Sequence, residues 1–258
     1  MKKALLAIIL LIFLPSCFGK LIKKRKTISA MDYNELKKRK IQLTKNKDTE
    51  GTIKYLQKMI PLCQDLKELR DIMLELADLL FDTGKLQEAE KLYREFSKLY
   101  PSDVNTEYTL YKAILCCFYK TLDTSRDQTK TQETLELVDQ FLERERVFTH
   151  YTAEVKKIGS TCNQKLAEAQ LSVIDFYIKR GNYQSAHHRI ANVKKEFLSA
   201  VPEIEVQLLH FEYKLAHAQH NAEQLKKIQT ELTEKFPEHP FTLAASDTIK
   251  KTSLFKRF

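Results

Sequence analysis

Apolar residues recur in this chain at intervals of three and four, and residues 70–103 show the pattern most plainly. Met73, Leu76, Ala77 and Leu80 fall on one face of a helix, because positions three and four apart stack on neighbouring turns. Gly84 interrupts the run, and a second face follows with Ala89, Tyr93 and Phe96, closed by Pro101. A glycine just past a helix can take the left-handed conformation that ends it. A proline stops the next helix, having no N–H to donate and clashing with the preceding turn. The spacing predicts a helical hairpin, with small Ala77 and Ala89 where its two helices approach most closely. No stretch alternates apolar and polar residues long enough to predict a strand. Good helix formers dominate, and the chain has only 5 Gly and 6 Pro in 258 residues. The predicted class is all-α.

The hairpin repeats. Counted from Arg70, its positions fall at offsets 4, 7, 8, 11, 15, 20, 24, 27 and 32. This is the tetratricopeptide pattern at every diagnostic offset but the first, where Met73 stands in place of an aromatic. A second clear copy starts at Ala167, with Ile174, Tyr177, Gly181, Ala186, Ile190 and Val193, its proline delayed to Pro202. Weaker copies begin near Tyr33 (Leu36, Leu43, Thr52, Leu56, Met59), near Thr106 (Ala113, Cys116) and near Val206, the last ending at Phe236-Pro237. One such unit cannot bury its own faces, whereas stacked units share a continuous core. The expectation is a superhelix of about five helix-turn-helix repeats over residues 33–240. The third copy carries an insertion. Its first helix is expected to reach about Leu122, residues 123–129 intervene, and Thr134, Val138 and Phe141 mark the second helix. Asp127 or Thr129 can cap that helix, and Thr129 and Gln132 have capping-box spacing.

The N-terminus sets the expected compartment. Lys2 and Lys3 precede an apolar run of 11 residues, Ala4 to Leu14. About 20 are needed to span a bilayer, so the run fits the apolar region of a secretory signal. Leu14-Pro15-Ser16-Cys17 resembles the lipobox of bacterial lipoproteins, in which the cysteine sulfur is acylated and becomes the mature N-terminus. An ordinary export signal with a chance cysteine is the alternative. Phe18 follows, where an Asp would signal inner-membrane retention, so an outer-membrane anchor is expected. The organisation read here is a signal peptide over 1–16, the lipidated Cys17 with a basic tether over 17–32, the repeats over 33–240 and a basic tail over 241–258.

The formal net charge of +9 is unevenly spread: residues 20–47 hold 11 Lys/Arg against Asp32 and Glu35. A nucleic-acid binder would carry such charge as a patch on its folded domain. Here most of it flanks the anchor, where it can lie on anionic headgroups at about 1 kcal/mol per residue or serve as a solvated tether. Membrane contact through the lipid is expected, and no nucleic-acid partner. Cys63, Cys116, Cys117 and Cys162 match no CxxC motif. They lie within apolar helical patterns and read as small buried hydrophobes, with Cys116 and Cys117 unable to enter one core together.

The lipobox, the five repeats, the inserted Arg126-Asp127-Gln128-Thr129 and the string from Lys165 through Phe176-Tyr177-Ile178-Lys179-Arg180-Gly181-Asn182-Tyr183-Gln184-Ser185-Ala186 to Val193 resemble the BamD family. These are lipoproteins of the outer-membrane β-barrel assembly machinery. The likeness covers roughly residues 30–240, and its most specific part is Lys165–Val193. The basic tether and the degenerate first repeat depart from the family. The resemblance implies a scaffold on the periplasmic face of the outer membrane. Its C-terminal repeats would dock the POTRA domains of a BamA-like barrel subunit, and its N-terminal repeats would receive unfolded β-barrel precursors, with accessory lipoproteins as possible further partners. The family's partner-contacting arginine lies three residues after the small residue of the fourth repeat, which here is Arg189, after Ala186; a solvated arginine on the second helix of the pair is the alternative. Lys179 and Arg180 either join that surface or complement the dipole at a helix C-terminus. Another envelope tetratricopeptide lipoprotein, serving cell-wall or division machinery, is the alternative; it would lack the inserted third repeat and the Lys165–Val193 string.

Catalytic chemistry is not evident. His187, His188, His210, His217 and His220 form the only tempting metal cluster, and no carboxylate pattern completes a ligand set of the HExxH type. The chain shows no Gly-rich phosphate loop, nucleophile elbow or paired-carboxylate motif. The expectation is a non-enzymatic interaction protein without cofactor or metal.

Overall fold

The computed structural model describes residues 27–244. The signal segment, Cys17, the tether up to residue 26 and the tail beyond residue 244 lie outside them. The described residues hold ten α-helices and no strand: α1 (Tyr33–Lys45), α2 (Thr49–Met59), α3 (Leu66–Asp82), α4 (Leu86–Leu99), α5 (Thr106–Phe118), α6 (Thr129–Leu142), α7 (Thr152–Lys179), α8 (Tyr183–Phe197), α9 (Glu205–Ala218) and α10 (Ala222–Lys235). In chain order they make five helix pairs. The chain divides into two compact units, one up to Ile72 and one from Met73, with the division falling inside α3.

In the first unit Asp32 opens α1 with a capping box. Its Oδ1 accepts the Glu35 N–H at 2.9 Å, and the Glu35 carboxylate accepts the Asp32 N–H at 3.3 Å, so two otherwise orphaned donors are satisfied. Leu36, Ile53, Leu56 and Met59 form the buried seam between α1 and α2. Lys37 reaches Glu68 at 2.6 Å, and the Tyr33 hydroxyl donates to Cys63 Sγ at 3.4 Å.

The second unit follows the repeat register closely. Met73, Leu76, Ala77 and Leu80 are buried on α3, and Ala89, Tyr93 and Phe96 on α4. Gly84 and Gly181 stand at φ +75° and +70°, the left-handed region that costs other residues strain, and each ends the first helix of its pair. Pro101 lies in the turn after α4. Each helix from α4 onward packs against the next, and α9 also reaches back to α7. Tyr93 is fully buried, and its hydroxyl donates to Asp78 Oδ1 at 2.6 Å; Tyr108 of α5 donates to the same oxygen at 2.8 Å. Three successive helices are joined at one carboxylate. Ala89 and Ala186 are both 0 % exposed. Ala89→Leu and Ala186→Leu should each destabilise the protein by about 1–3 kcal/mol through overpacking, read as a lowered urea midpoint. Wild-type midpoints in both variants would contradict this placement of the helix crossings.

Four expectations need correction. α5 stops at Phe118, not Leu122: the Lys120 and Thr121 amides donate back to the Cys117 and Phe118 carbonyls at 3.0 Å, and Lys165 Nζ pins the turn through Thr121 Oγ1 at 2.9 Å. Neither Asp127 nor Thr129 caps α6. Gln128 occupies the cap position, Thr129 Oγ1 donates to Asp127 Oδ1 at 2.9 Å, and Gln128 Nε2 ties the insertion to the Asp123 and Arg126 carbonyls. The helix expected from Ala167 begins at Thr152, because Val155, Ile158 and Cys162 pack into the core of α5 and α6. Gly159 lets α7 come close; a Cβ there would sit 3.0 Å from Val138 Cγ1. The N-terminus of α7 is fastened from afar by Glu107, whose buried carboxylate accepts the His150 N–H at 2.6 Å and the Tyr151 N–H at 3.0 Å. Finally, folded chain runs past the boundary drawn at residue 240. Pro240 starts a further helical turn, Phe241 packs on the α9–α10 cluster, and buried Thr242 donates to the Phe236 carbonyl at 2.7 Å.

The four described cysteines are free. Cys116, Cys117 and Cys162 are fully buried, as the apolar pattern suggests, but Cys63 is half-exposed. Cys117 belongs to the α5–α6–α7 core cluster and its neighbour Cys116 does not; an inner helix of a stacked array is covered on more than one side. Burial pushes the Cys116 thiol up to about 12 and that of Cys162 to about 11, so neither thiol is activated as a nucleophile.

Candidate functional site on the fourth and fifth repeats

The apolar face of the fourth repeat is spent on packing. Ala167 and Ile174 of α7 meet Ala186, Ile190 and Val193 of α8, and Val201, Ile204, Leu208 and Leu215 extend the cluster to α9. Asn182 starts α8 by accepting the Ser185 N–H at 3.2 Å. What remains for a partner is the polar outer surface that this core holds in place.

Arg189 lies on that surface, partly exposed, with Nη1 donating to Gln170 Oε1 of α7 at 3.1 Å. A guanidinium carries five donors in a planar fork, so this one bond leaves most of its capacity for other acceptors. Lys179 and Arg180 occupy the end of α7. Lys179 pairs with Asp175 at 2.5 Å, one turn earlier, and Arg180 lies over the Phe176 ring at 5.3 Å from its centroid. Phe176 is 53 % exposed, so this corner presents an apolar ring beside two cations. Arg189 is nine residues beyond Arg180, on the other helix, and engages the middle of α7 instead. Arg189 on one side and Lys179 with Arg180 on the other are therefore two features and not one cluster.

Features without a sequence signature lie beside them. Lys194 of α8 bonds both carboxylate oxygens of Glu212 on α9 at 2.8 Å, fixing the two repeats together. A cavity of about 480 Å³ opens between α8, α9 and the start of α10, lined by Tyr183, Gln184, His187, Glu212, Leu215 and Gln219. Lys179, bonded to Asp175, and Lys214 hold the Asp175 carboxyl below the usual carboxylate range, against the opposing effect of burial.

Glu90, Cys117 and Glu133 bring potential metal ligands within 4.8 Å of one another at the junction of α4, α5 and α6. Both carboxylates are already engaged, Glu90 by Lys120 and by Arg94 at 3.2 Å, Glu133 by Lys130. The arrangement is a network of two carboxylates and three cations tying three helices. No buried side-chain nitrogen or oxygen among the described residues lacks a hydrogen-bond partner.

Paired helices with small residues at their crossings and an outer polar surface define the class: a helical repeat protein of the tetratricopeptide type. The chain belongs to the YfiO family of outer-membrane lipoproteins, whose profile matches residues 29–229. It is also similar to the outer membrane protein assembly factor BamD of Caulobacter vibrioides, at 26 % identity over 98 residues; the matched segment is 38 % of this chain and 32 % of that protein. Among solved structures, a tetratricopeptide-repeat protein from Parabacteroides merdae has a TM-score of 0.35 at 14 % identity, with 87 % of this chain and 88 % of that one covered. YrrB, described as a tetratricopeptide-repeat protein with an unusual peptide-binding site, has a TM-score of 0.34 at 11 % identity, covering 84 % and 92 %. Likenesses this distant leave the repeat assignment resting on the helix pairs themselves.

Proposed function

We propose that this protein is a lipid-anchored scaffold of the outer-membrane β-barrel assembly machinery, facing the periplasm. In this reading the fourth and fifth repeats dock the POTRA domains of a BamA-like barrel subunit, and the N-terminal repeats receive unfolded barrel precursors. The observation that carries it is the family match, which runs unbroken from residue 29 to 229 across all five helix pairs. The partial likeness to an assembly factor points the same way. Stacked helical repeats suit such work, since they present an extended surface on which a folded domain or an extended segment can lie. The tether that joins the repeats to Cys17 would add electrostatic attraction to anionic lipid.

Arg189 is the residue assigned to the barrel subunit. It is held by a single neutral partner, Gln170, so its charge is available to a carboxylate across an interface. Arg189→Glu places like charges opposite each other there, which costs several kcal/mol, while a change at a partly exposed position should move the protein's own stability by only about ±0.5 kcal/mol. The expected result is a wild-type melting temperature with POTRA-domain binding weakened by at least about tenfold in a direct titration. A folded variant that binds as tightly as wild type would make Arg189 a bystander.

A further inference from the structure

A second cavity, of about 410 Å³, sits in the last repeat, where the end of α7, one face of α9 and the turn after α10 converge. Ile178, Tyr213, Phe241 and Ala244 line it together with His210, Lys214 and His217. Its volume is that of small-molecule sites, about 300–1,000 Å³, and its wall is mostly apolar. Among the described residues that line it none is acidic, whereas three of the seven are cationic or can become so.

The charges around it are unbalanced. His210 of α9 stacks flat on Phe241, with ring centroids 3.9 Å apart at 10°. Burial lowers the His210 pKa, and the positive charge of Lys214 and of His239 lowers it further; Asp175 of α7 is the one carboxylate that acts against them. Asp175 is itself committed, bonded to Lys179 at 2.5 Å and 3.7 Å from Lys214. Lys214 Nζ also lies 5.3 Å from the Phe211 ring centroid. Its ammonium carries three donors, and its one ion pair among the described residues is the long contact with Asp175.

From this geometry we infer that the cavity is a binding site for a small carboxylate with an apolar body, its anionic group on Lys214 and its apolar part against Phe241, Tyr213 and Ile178. An apolar cation would meet Lys214, and the nearby carboxylate, Asp175, already pairs with Lys179 and Lys214; a neutral apolar molecule would give that ammonium no new partner as water is expelled. The same ligand chemistry belongs to the terminal residue of a polypeptide and to a free fatty acid. An anion settling beside Lys214 would favour the charged form of His210, so binding and the titration of that ring are linked.

The test uses the full chain, detergent-solubilised, with calorimetry and the imidazole resonances of His210 as readouts. The probes are N-acetylphenylalanine as the peptide terminus, decanoate as the fatty acid, and N-acetylphenylalanine amide as the uncharged control. The inference predicts that at least one carboxylate shifts the His210 resonances and raises that ring's pKa. It also predicts that Lys214→Gln weakens that ligand by about tenfold, as loss of a charge-assisted bond should, with the melting temperature unchanged. The tighter of the two carboxylates identifies the source. Equal binding of acid and amide would overturn the inference, as would binding that leaves His210 unmoved. If Lys214→Gln fails to fold, the wild-type comparison of acid with amide decides alone.

Discussion

Tyr93→Ala should lower the free energy of unfolding by about 3–5 kcal/mol, the range for deleting a buried aromatic ring. Tyr93 is fully buried at the second-helix aromatic position of the clearest repeat, edge-on to Phe81 and Tyr108. Its hydroxyl shares Asp78 with Tyr108. Deletion leaves a cavity between helices and removes one of two neutral donors from a carboxylate. Tyr93→Phe separates the two effects. It keeps the ring and gives up one hydrogen bond, so it should cost about 0.5–1.5 kcal/mol. Domain stabilities are about 5–15 kcal/mol, so the alanine variant should unfold at a much lower urea concentration. An alanine variant with a wild-type midpoint would mean that Tyr93 is not the core residue the repeat register makes it. Equal losses in both variants would mean that the hydroxyl, and not the ring, carries the stabilisation.

Cys17→Ser should abolish acylation altogether. Serine lacks the sulfur that would take the diacylglyceryl group, so metabolic labelling with a fatty-acid analogue should fall to background, and any cleaved chain should leave the outer-membrane fraction. A single acyl chain holds a protein only marginally, with an association constant of about 10⁴ M⁻¹, and stable anchoring needs a second signal. The full lipid modification proposed for Cys17 would supply that signal in the wild type, and the basic residues after it would add to it. Because those residues stay in place, the serine variant should retain weak binding to anionic vesicles that salt removes. Undiminished labelling would show that Cys17 is not the lipidated residue. Loss of labelling with undiminished membrane retention at high salt would show that the lipid is not the anchor.

Much of the fold was legible because tetratricopeptide hairpins are local. Every diagnostic position of the second repeat is set by contacts between two helices joined by a short turn. Ala77, Gly84, Ala89, Tyr93 and Phe96 therefore sit where their spacing placed them, and Gly181 and Ala186 do the same in the fourth repeat. The errors lie where distant residues decide. The early start of α7 depends on Glu107, 45 residues before Thr152 in the chain, accepting the backbone N–H groups of His150 and Tyr151. No local cap announces it. The end of α5 depends on Lys165 reaching back to Thr121. Cys116 and Cys117 illustrate the same limit: helical periodicity shows that they diverge, but only the stacking of neighbours shows that both directions are covered.

The candidate site was legible only as far as the string around Ala186 reached. Arg189 was placed by its distance from Ala186, and the structure sets it on the surface against Gln170. It does not join Lys179 and Arg180, because the antiparallel turn at Gly181 carries α8 back along α7, away from that end. Nothing in the order of residues indicates that Phe241 stacks on His210 or that Glu212 ties α9 to Lys194. The first ties the last helix pair to the turn after it and the second ties the fourth pair to the fifth, so neither is set within one hairpin.

In-cell crosslinking followed by affinity purification of this chain from envelope membranes tests membership in the barrel-assembly machinery most directly. The barrel subunit with its POTRA domains should be the main crosslinked partner, and its yield should fall sharply when Arg189→Glu replaces the wild type at equal abundance. Recovery of the intact, membrane-bound protein with cell-wall or division proteins and without the barrel subunit would contradict it.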